Sequence, residues 1–207
     1  EIRTLVQIIE NRNFAQGNGQ AVRAEVVESY CDMLSSKFSF DTPLKLVIDG
    51  GNGVLGDLAV KIIESMGHQV IPIYCEPDGN FPNHHPDPSV SENLTDLIKA
   101  VRQEKADLGI AYDGDGDRMG VVDENGEIVW PDDQMIIFAR DVLSRHPGAS
   151  IVFDVKCMMN LPRAIKEAGG QPVMCKSGHS LIKKKLKEKS APLAGELSGH
   201  IFFADDY

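Results

Sequence analysis

Residues 106–118, with the sequence ADLGIAYDGDGDR, join an apolar run to a glycine-rich acidic loop. The run Ala106–Tyr112 predicts a buried β-strand, because short apolar runs bounded by turn residues are typical of strands inside a sheet. In the loop, Asp113, Asp115 and Asp117 alternate with glycines and are followed by Arg118. Alternate residues of an extended segment point to the same side, and glycines let carboxylates converge without steric clashes. The stretch therefore predicts a strand that brings three carboxylates to one place.

Three converging carboxylates repel one another unless a cation lies among them. Mg²⁺ prefers oxygen ligands and keeps open positions for water or a phosphate, so the loop predicts a magnesium site that serves phosphate chemistry. A solvated acidic turn and a calcium EF-hand loop are the alternatives. Counted from Asp113, an EF-hand loop would end at Glu124, but its required glycine is replaced by Arg118, and a strand rather than a helix precedes the loop.

Helical and strand-like segments alternate over the rest of the chain, which predicts an α/β fold with mixed, largely parallel sheets. We predict helices at residues 22–38, 56–66, 92–104, 132–145, 161–168 and 180–189, and strands at 44–49, 69–74, 106–112, 120–123, 127–130, 150–154, 171–175, 193–195 and 200–203. A hairpin turns at Glu124–Gly126, and four prolines make residues 76–91 a structured loop. We expect two consecutive α/β units, at 21–130 and 131–207, the second incomplete, after a tail and linker at 1–20.

Composition excludes several classes of protein. The formal net charge of −10 argues against general binding to nucleic acid or to anionic membranes, both of which favour a basic surface. We find no apolar stretch of transmembrane length and no signal peptide. Four dispersed cysteines are most simply reduced thiols, so we expect a cytoplasmic protein with no membrane partner.

The segment Gly51–Gly56 matches the pattern GxGxxG between a predicted strand and a helix, and Glu76 follows at the next strand end. This context is typical of dinucleotide binding. Tight strand–turn–helix connections also use glycines for packing, and we favour that interpretation.

Two further segments carry candidate binding groups. Lys176–Ser180 opens a helix, whose free amides attract phosphate, and Lys156 follows another strand and could reach the same cleft. In Gly195–His200, Glu196 and Ser198 alternate and suit paired sugar hydroxyls, while His200 suits proton transfer. Each of these residues alone has an ordinary structural alternative, such as a surface lysine, a helix-capping serine or a hydrogen-bonded histidine.

Five motifs together resemble the α-D-phosphohexomutase superfamily, and the closest similarity is to its bacterial phosphomannomutase/phosphoglucomutase branch. They occur in the family's order and span most of the chain: DGNFPNHHPDP (78–88), DGDGDR (113–118), DVKC (154–157), KSGHSLIKKK (176–185) and GELSGH (195–200). Family enzymes have four domains, and the chain resembles the end of domain 1, all of domain 2 and most of domain 3. The resemblance implies that domains 1 and 4 of the same protein are missing.

The resemblance also implies a mechanism in which a phosphoserine exchanges its phosphoryl group with a hexose phosphate through a 1,6-bisphosphate intermediate. Glucose 1,6-bisphosphate would serve as activator, and mannose and glucose 1- or 6-phosphates as substrates. By motif position the metal ligands are Asp113, Asp115 and Asp117, the catalytic residues are Arg118 and His200, and the substrate-binding residues are Lys156, Gly178, His179, Glu196 and Ser198.

The chain departs from the family pattern in ways that affect these expectations. It lacks the phosphoserine loop, so we expect it to be inactive alone, and Met158–Asn160 replaces a Thr-Arg-Arg-like run. Leu197 stands where the bifunctional branch has Met, and phosphoglucosamine mutases more often have Gln there. A phosphoglucosamine mutase and a non-catalytic module that binds a metal or a phosphosugar are therefore the remaining alternatives.

Overall fold

The computed structural model describes residues 2–205, so Glu1, Asp206 and Tyr207 of the predicted end segments lie outside the described residues. The described chain forms two α/β sheets that follow one another in sequence, which confirms the predicted fold class. The strands are β1 Lys45–Asp49, β2 Gln69–Ile73, β3 Leu108–Tyr112, β4 Met119–Asp123, β5 Ile128–Val129, β6 Ser150–Asp154, β7 Gln171–Cys175, β8 Leu193–Gly195 and β9 Ile201–Phe203. The helices are α1 Ile2–Glu10, α2 Val27–Lys37, α3 Gly56–Ser65, α4 Thr95–Glu104, α5 Pro131–Arg145, α6 Asn160–Glu167 and α7 His179–Lys189.

The two sheets repeat one topology. The first has the order β2-β1-β3-β4-β5, and the second has the order β7-β6-β8-β9. In each sheet the first strand in sequence lies between two parallel neighbours, and the third strand pairs with the fourth in antiparallel orientation. The β3–β4 turn, which holds the acidic loop, is therefore equivalent to the β8–β9 turn, which holds Glu196–His200.

Each sheet has its own apolar core. In the first unit, Val47 of β1 packs with Leu97 and Val101 of α4, which are fully buried. In the second unit, Phe153 of β6 packs with residues of α5 and α6, such as Met135. Amphipathic helices bury one face against a sheet, and this burial places the carboxyl ends of the strands at fixed positions.

The N-terminal segment differs from the prediction. Residues 2–10, within the predicted tail and linker, form a helix that was not predicted, and none of its residues is buried. The predicted helix 22–38 begins five residues later, at Val27, and the side chains of Val22 and Val26 are 87% and 62% exposed. Neither α1 nor α2 buries a residue, so burial does not decide where these two helices begin.

Smaller differences occur elsewhere. The predicted helix 92–104 starts as a 3₁₀ turn, Ser91–Leu94, before α4. The predicted strand 106–112 begins only at Leu108. The predicted hairpin is present, and Gly126 supplies its positive φ of +77°. Within the described part of the chain, no helix is long and apolar enough to cross a membrane.

Candidate metal and sugar-phosphate site

The acidic loop connects β3 to β4, and the Tyr112–Met119 pair closes its base. One carboxylate oxygen each of Asp113, Asp115 and Asp117 can be chosen so that all three lie within 4.8 Å of one another. Mg²⁺ holds oxygen ligands at about 2.1 Å, so small rotations of the exposed Asp115 and Asp117 side chains would bring the set around one ion. The donor set therefore fits a hard divalent cation.

Arg118 is fixed by two carboxylates. Its backbone N–H donates to Asp113 Oδ1 at 3.0 Å, its Nε donates to Asp113 Oδ2 at 2.7 Å, and its Nη1 donates to Asp87 Oδ1 at 3.0 Å. Burial acts to raise the pKa of Asp113, but the hydrogen bonds and the charge of Arg118 outweigh it and hold that pKa below its usual value. Asp113 is thus an ionised, buried anchor that orients the guanidinium.

The proline-rich loop supplies the second partner of Arg118. Asp87 accepts hydrogen bonds from the backbone N–H and the hydroxyl of Ser89 at 3.1 and 2.7 Å. The loop is itself fixed by His84, whose Nε2 lies 3.0 Å from Oδ2 of the fully buried Asp49 at the end of β1. The sequence did not single out Asp87, Asp49 or His84, because their contacts join residues about 30 positions apart.

In the second unit, Glu196, Ser198 and His200 converge in the β8–β9 turn. Glu196 is only 4% exposed, and its Oε1 accepts the Gly178 N–H at 2.6 Å. His200 Nδ1 lies 2.8 Å from Ser198 Oγ and 3.2 Å from Glu196 Oε2. The Gly178 amide, which was predicted to bind phosphate, is thus bonded to Glu196 in this structure, and the carboxylate ties the KSGH segment to the GELSGH turn.

His200 also connects the two units. Its Nε2 lies 3.3 Å from Asp117 Oδ2 of the acidic loop. The exposed ring of His179 lies 6.0 Å from the His200 ring, centroid to centroid. One imidazole therefore contacts a predicted metal ligand on one side and the predicted sugar-binding turn on the other.

A cavity of about 540 Å³ opens beside this contact. Its lining combines residues of both units: Ser89, Trp130, Asp132, Lys156, Met158, Leu197 and Ser198. Two predicted substrate-binding residues, Lys156 and Ser198, thus share one cavity. The other eight predicted site residues do not line this cavity, but His200 contacts both Asp117 of the acidic loop and Glu196 of the β8–β9 turn.

The GxGxxG segment is packed instead of open. The amides of Gly51, Asn52, Gly53 and Val54 donate to Asp49, Tyr74, Gly50 and Gly114, so they are not available to a pyrophosphate. A Cβ on Gly56 would lie 2.7 Å from Cys75 Cα, and one on Gly53 would lie 2.8 Å from the Gly114 carbonyl oxygen. The glycines serve close packing against the β2 end and the acidic loop.

Two models of one protein family match the chain. Phosphoglucomutase/phosphomannomutase, alpha/beta/alpha domain II, matches residues 28–126, and domain III of the same family matches residues 130–207. The chain therefore belongs to the phosphoglucomutase/phosphomannomutase family, as its motifs predicted.

Individual relatives agree with this assignment. A phosphomannomutase/phosphoglucomutase of Pseudomonas aeruginosa is 52% identical over 205 residues, which are 99% of this chain and 44% of the relative. A phosphoglucomutase of Neisseria gonorrhoeae is 46% identical over 206 residues, 99% of this chain and 45% of the relative. The crystal structure of a phosphoglucomutase/phosphomannomutase family protein from Burkholderia thailandensis is 48% identical, with a TM-score of 0.96 over 100% of this chain and 45% of that one. The chain spans less than half the length of these relatives.

Proposed function

We propose that the chain is the central part of an enzyme that interconverts hexose 1-phosphates and hexose 6-phosphates. Mannose and glucose phosphates are the proposed substrates, Mg²⁺ the metal, and glucose 1,6-bisphosphate the activator and intermediate. The proposed parts of the protein outside this chain supply the phosphoserine and a further phosphate-binding loop. The two α/β units at 21–130 and 131–207 then correspond to two of four domains, and residues 1–20 to the connection that precedes them.

The contact between the units carries this proposal. His200 lies between Asp117 of the acidic loop and Glu196 of the second turn, at 3.3 and 3.2 Å. A phosphoryl-transfer enzyme needs charge stabilisation and sugar recognition in one cleft. The contact joins the acidic loop, which we propose binds the metal, to the β8–β9 turn, which we propose binds the sugar.

Arg118 is the residue we assign to charge stabilisation. Two carboxylates hold its guanidinium, so it needs no reorganisation when a phosphoryl group approaches. When bound by Asp113, Asp115 and Asp117, Mg²⁺ would neutralise charge on the transferring phosphoryl group. We assign proton exchange with the sugar hydroxyl to His200 Nε2, because Nδ1 faces Glu196 and Ser198; in the proposed bound state Asp117 binds the metal and Nε2 faces the sugar instead of Asp117.

The remaining residues bind the sugar phosphate. Lys156 faces the cavity with no ion pair among the described residues, so its ammonium group is free to pair with a phosphate. Ser198 lines the same cavity and offers a hydroxyl to the sugar. In the proposed bound state, Gly178 and His179 bind phosphate at the start of α7. For this to happen, Glu196 must release the Gly178 N–H, and its carboxylate then accepts a hydrogen bond from a sugar hydroxyl.

The test is an isomerisation assay on the full-length protein. Mannose 1-phosphate, glucose 1-phosphate and glucosamine 1-phosphate are compared in the presence of Mg²⁺ and a trace of glucose 1,6-bisphosphate. Comparable turnover of the first two supports the proposal, while activity confined to glucosamine 1-phosphate would replace the substrate. Absence of turnover for all three would favour a non-catalytic phosphosugar-binding module. The 207-residue chain assayed alone is expected to be inactive, and its turnover would contradict the proposed placement of the phosphoserine.

A further inference from the structure

Asp154 occupies a position in the second unit that neither the motif roles nor the family assignment explains. It is the last residue of β6, the central strand of its sheet, and it is only 1% exposed. Burial of a carboxylate is costly unless it accepts hydrogen bonds. The side chain therefore has to be accounted for by its partners.

The partners come from three different loops. Oδ2 accepts the Ser177 hydroxyl at 2.6 Å, while Oδ1 accepts the Leu197 N–H at 3.3 Å and the Cys157 thiol at 3.1 Å. Burial, and next the neighbouring Asp154, raises the pKa of the Cys157 thiol, so that group stays protonated and donates. One carboxylate thus accepts three donors, the most distant of which lies 43 positions away from Asp154 in sequence.

Each of these loops carries proposed ligand-binding residues. The loop after β6 carries Lys156, the loop before α7 carries Gly178 and His179, and the β8–β9 turn carries Glu196 and Ser198. The residues that donate to Asp154, namely Cys157, Ser177 and Leu197, are each adjacent in sequence to a proposed ligand-binding residue. Asp154 itself does not line the cavity.

We propose that Asp154 is a positioning residue that fixes the three sugar-phosphate-binding loops of the second unit relative to one another, an inference that rests on the proposed function. Its carboxylate accepts donors on both oxygens, and an amide cannot replace it, because Asn presents an NH₂ group to at least one of those donors. Preorganised loops lower the cost of ordering when the ligand binds. The expected result of weakening them is weaker sugar-phosphate binding, with little change in the chemical step.

The experiment uses the full-length protein with Asp154→Asn, Ser177→Ala and the control Asp123→Asn. Asp123 also accepts backbone N–H groups, from Asn125 and Glu127 at 3.0 and 2.7 Å, but it lies in the β4–β5 hairpin. We measure KM and kcat, the Kd for glucose 6-phosphate by calorimetry, and the half-saturating Mg²⁺ concentration. For Asp154→Asn we expect KM and Kd to rise at least about tenfold, with kcat and the Mg²⁺ requirement within about threefold. Ser177→Ala removes one of the three donors to Asp154 and is expected to raise KM and Kd about threefold to tenfold.

A purely structural role would give another pattern. It would lower the melting temperature and the active fraction, and hence the apparent kcat, while KM and Kd stayed at the values of Asp123→Asn. That result overturns the inference, and Ser177→Ala decides the case if Asp154→Asn does not fold. If the wild-type protein turns over no hexose phosphate, the proposed function fails, and the Kd values still test the positioning role. If the wild-type protein binds no hexose phosphate, both proposals fail.

Discussion

Replacement of Gly53 by alanine should damage the acidic loop without touching a carboxylate. An ideal Cβ at Gly53 lies 2.8 Å from the carbonyl oxygen of Gly114 and 3.0 Å from that of Asp113. Both atoms belong to the backbone, which cannot rotate away as the end of a side chain can. Gly53 does not have a positive φ, so alanine suits its backbone conformation and the effect is steric.

The size of the effect follows from this overlap. Overpacking costs about 1–3 kcal/mol, and for a protein of this size each kcal/mol lowers the melting temperature by about 2–4 °C. We therefore expect Gly53→Ala to melt about 2–12 °C below wild type. The displaced backbone carries Asp113 and Gly114, and loss of support around metal ligands typically weakens metal affinity about 10–100-fold.

The control is Gly79→Ala, because a Cβ at Gly79 has no atom within 4 Å and that glycine has no positive φ. Thermal unfolding and Mg²⁺ or Mn²⁺ titration calorimetry are measured for both variants. Gly79→Ala is expected to match wild type in both measurements. Equal melting temperatures and equal metal affinities for the two variants would refute the argument that Gly53 supports the acidic loop.

Three further outcomes are expected. Asp115→Ala removes one of the three converging carboxylates, so the full-length protein should lose its Mg²⁺ dependence, and an unchanged Mg²⁺ titration would contradict the proposed ligand set. Burial acts to raise the pKa of Asp87, but hydrogen bonds from Ser89 and the charge of Arg118 prevail and hold this pKa below its usual value. The ionised Asp87 therefore contributes stability above about pH 4, and this contribution is lost as the pH falls through the lowered pKa. In urea unfolding between pH 5 and 2.5, the free energy of unfolding of Asp87→Asn should fall less with pH than that of wild type. Burial raises the pKa of the Cys75 thiol to about 11, which leaves about 0.1% of it as thiolate at pH 8. Native Cys75 should therefore react with iodoacetamide roughly a hundredfold more slowly than Cys75 of the urea-unfolded protein. Mass spectrometry of the labelled peptide measures both rates.

The sequence predicted the elements of the fold where the pattern is local. The central strands β1 and β6 are continuous apolar runs, and the structure places them as expected because both of their faces are covered. The predicted start of α2 was wrong: Val22 and Val26 follow a helical pattern but lie outside the helix and are exposed. Periodicity reports which residues would share a face of a helix, but it does not fix the residue at which the helix begins.

The same distinction applies to the candidate site. The acidic loop was evident because its carboxylates lie within five consecutive residues. The groups that hold the loops were not evident, since Asp87 reaches Arg118 across 31 positions and Asp154 reaches Leu197 across 43. Both aspartates lie in sequence motifs, at 78–88 and 154–157, but the motifs did not reveal their supporting role, because the partners come together only in the folded chain.

The charges and hydrogen bonds of individual residues around the cleft bear more directly on phosphate binding than the net charge of the chain does. A chain with a net charge of −10 is a poor general binder of anions, yet the proposed ligands are sugar phosphates. Three of the buried carboxylates accept hydrogen bonds from fixed donors: Asp113 from Arg118, Asp154 from three loops, and Glu196 from Gly178. Lys156 faces the cavity without an ion pair among the described residues. Asp132, whose Oδ1 has no hydrogen-bond partner among the described residues, lines the same cavity, so the charge that a phosphate meets there depends on Lys156 and Asp132 together, while Asp113, Asp154 and Glu196 hold loops in place.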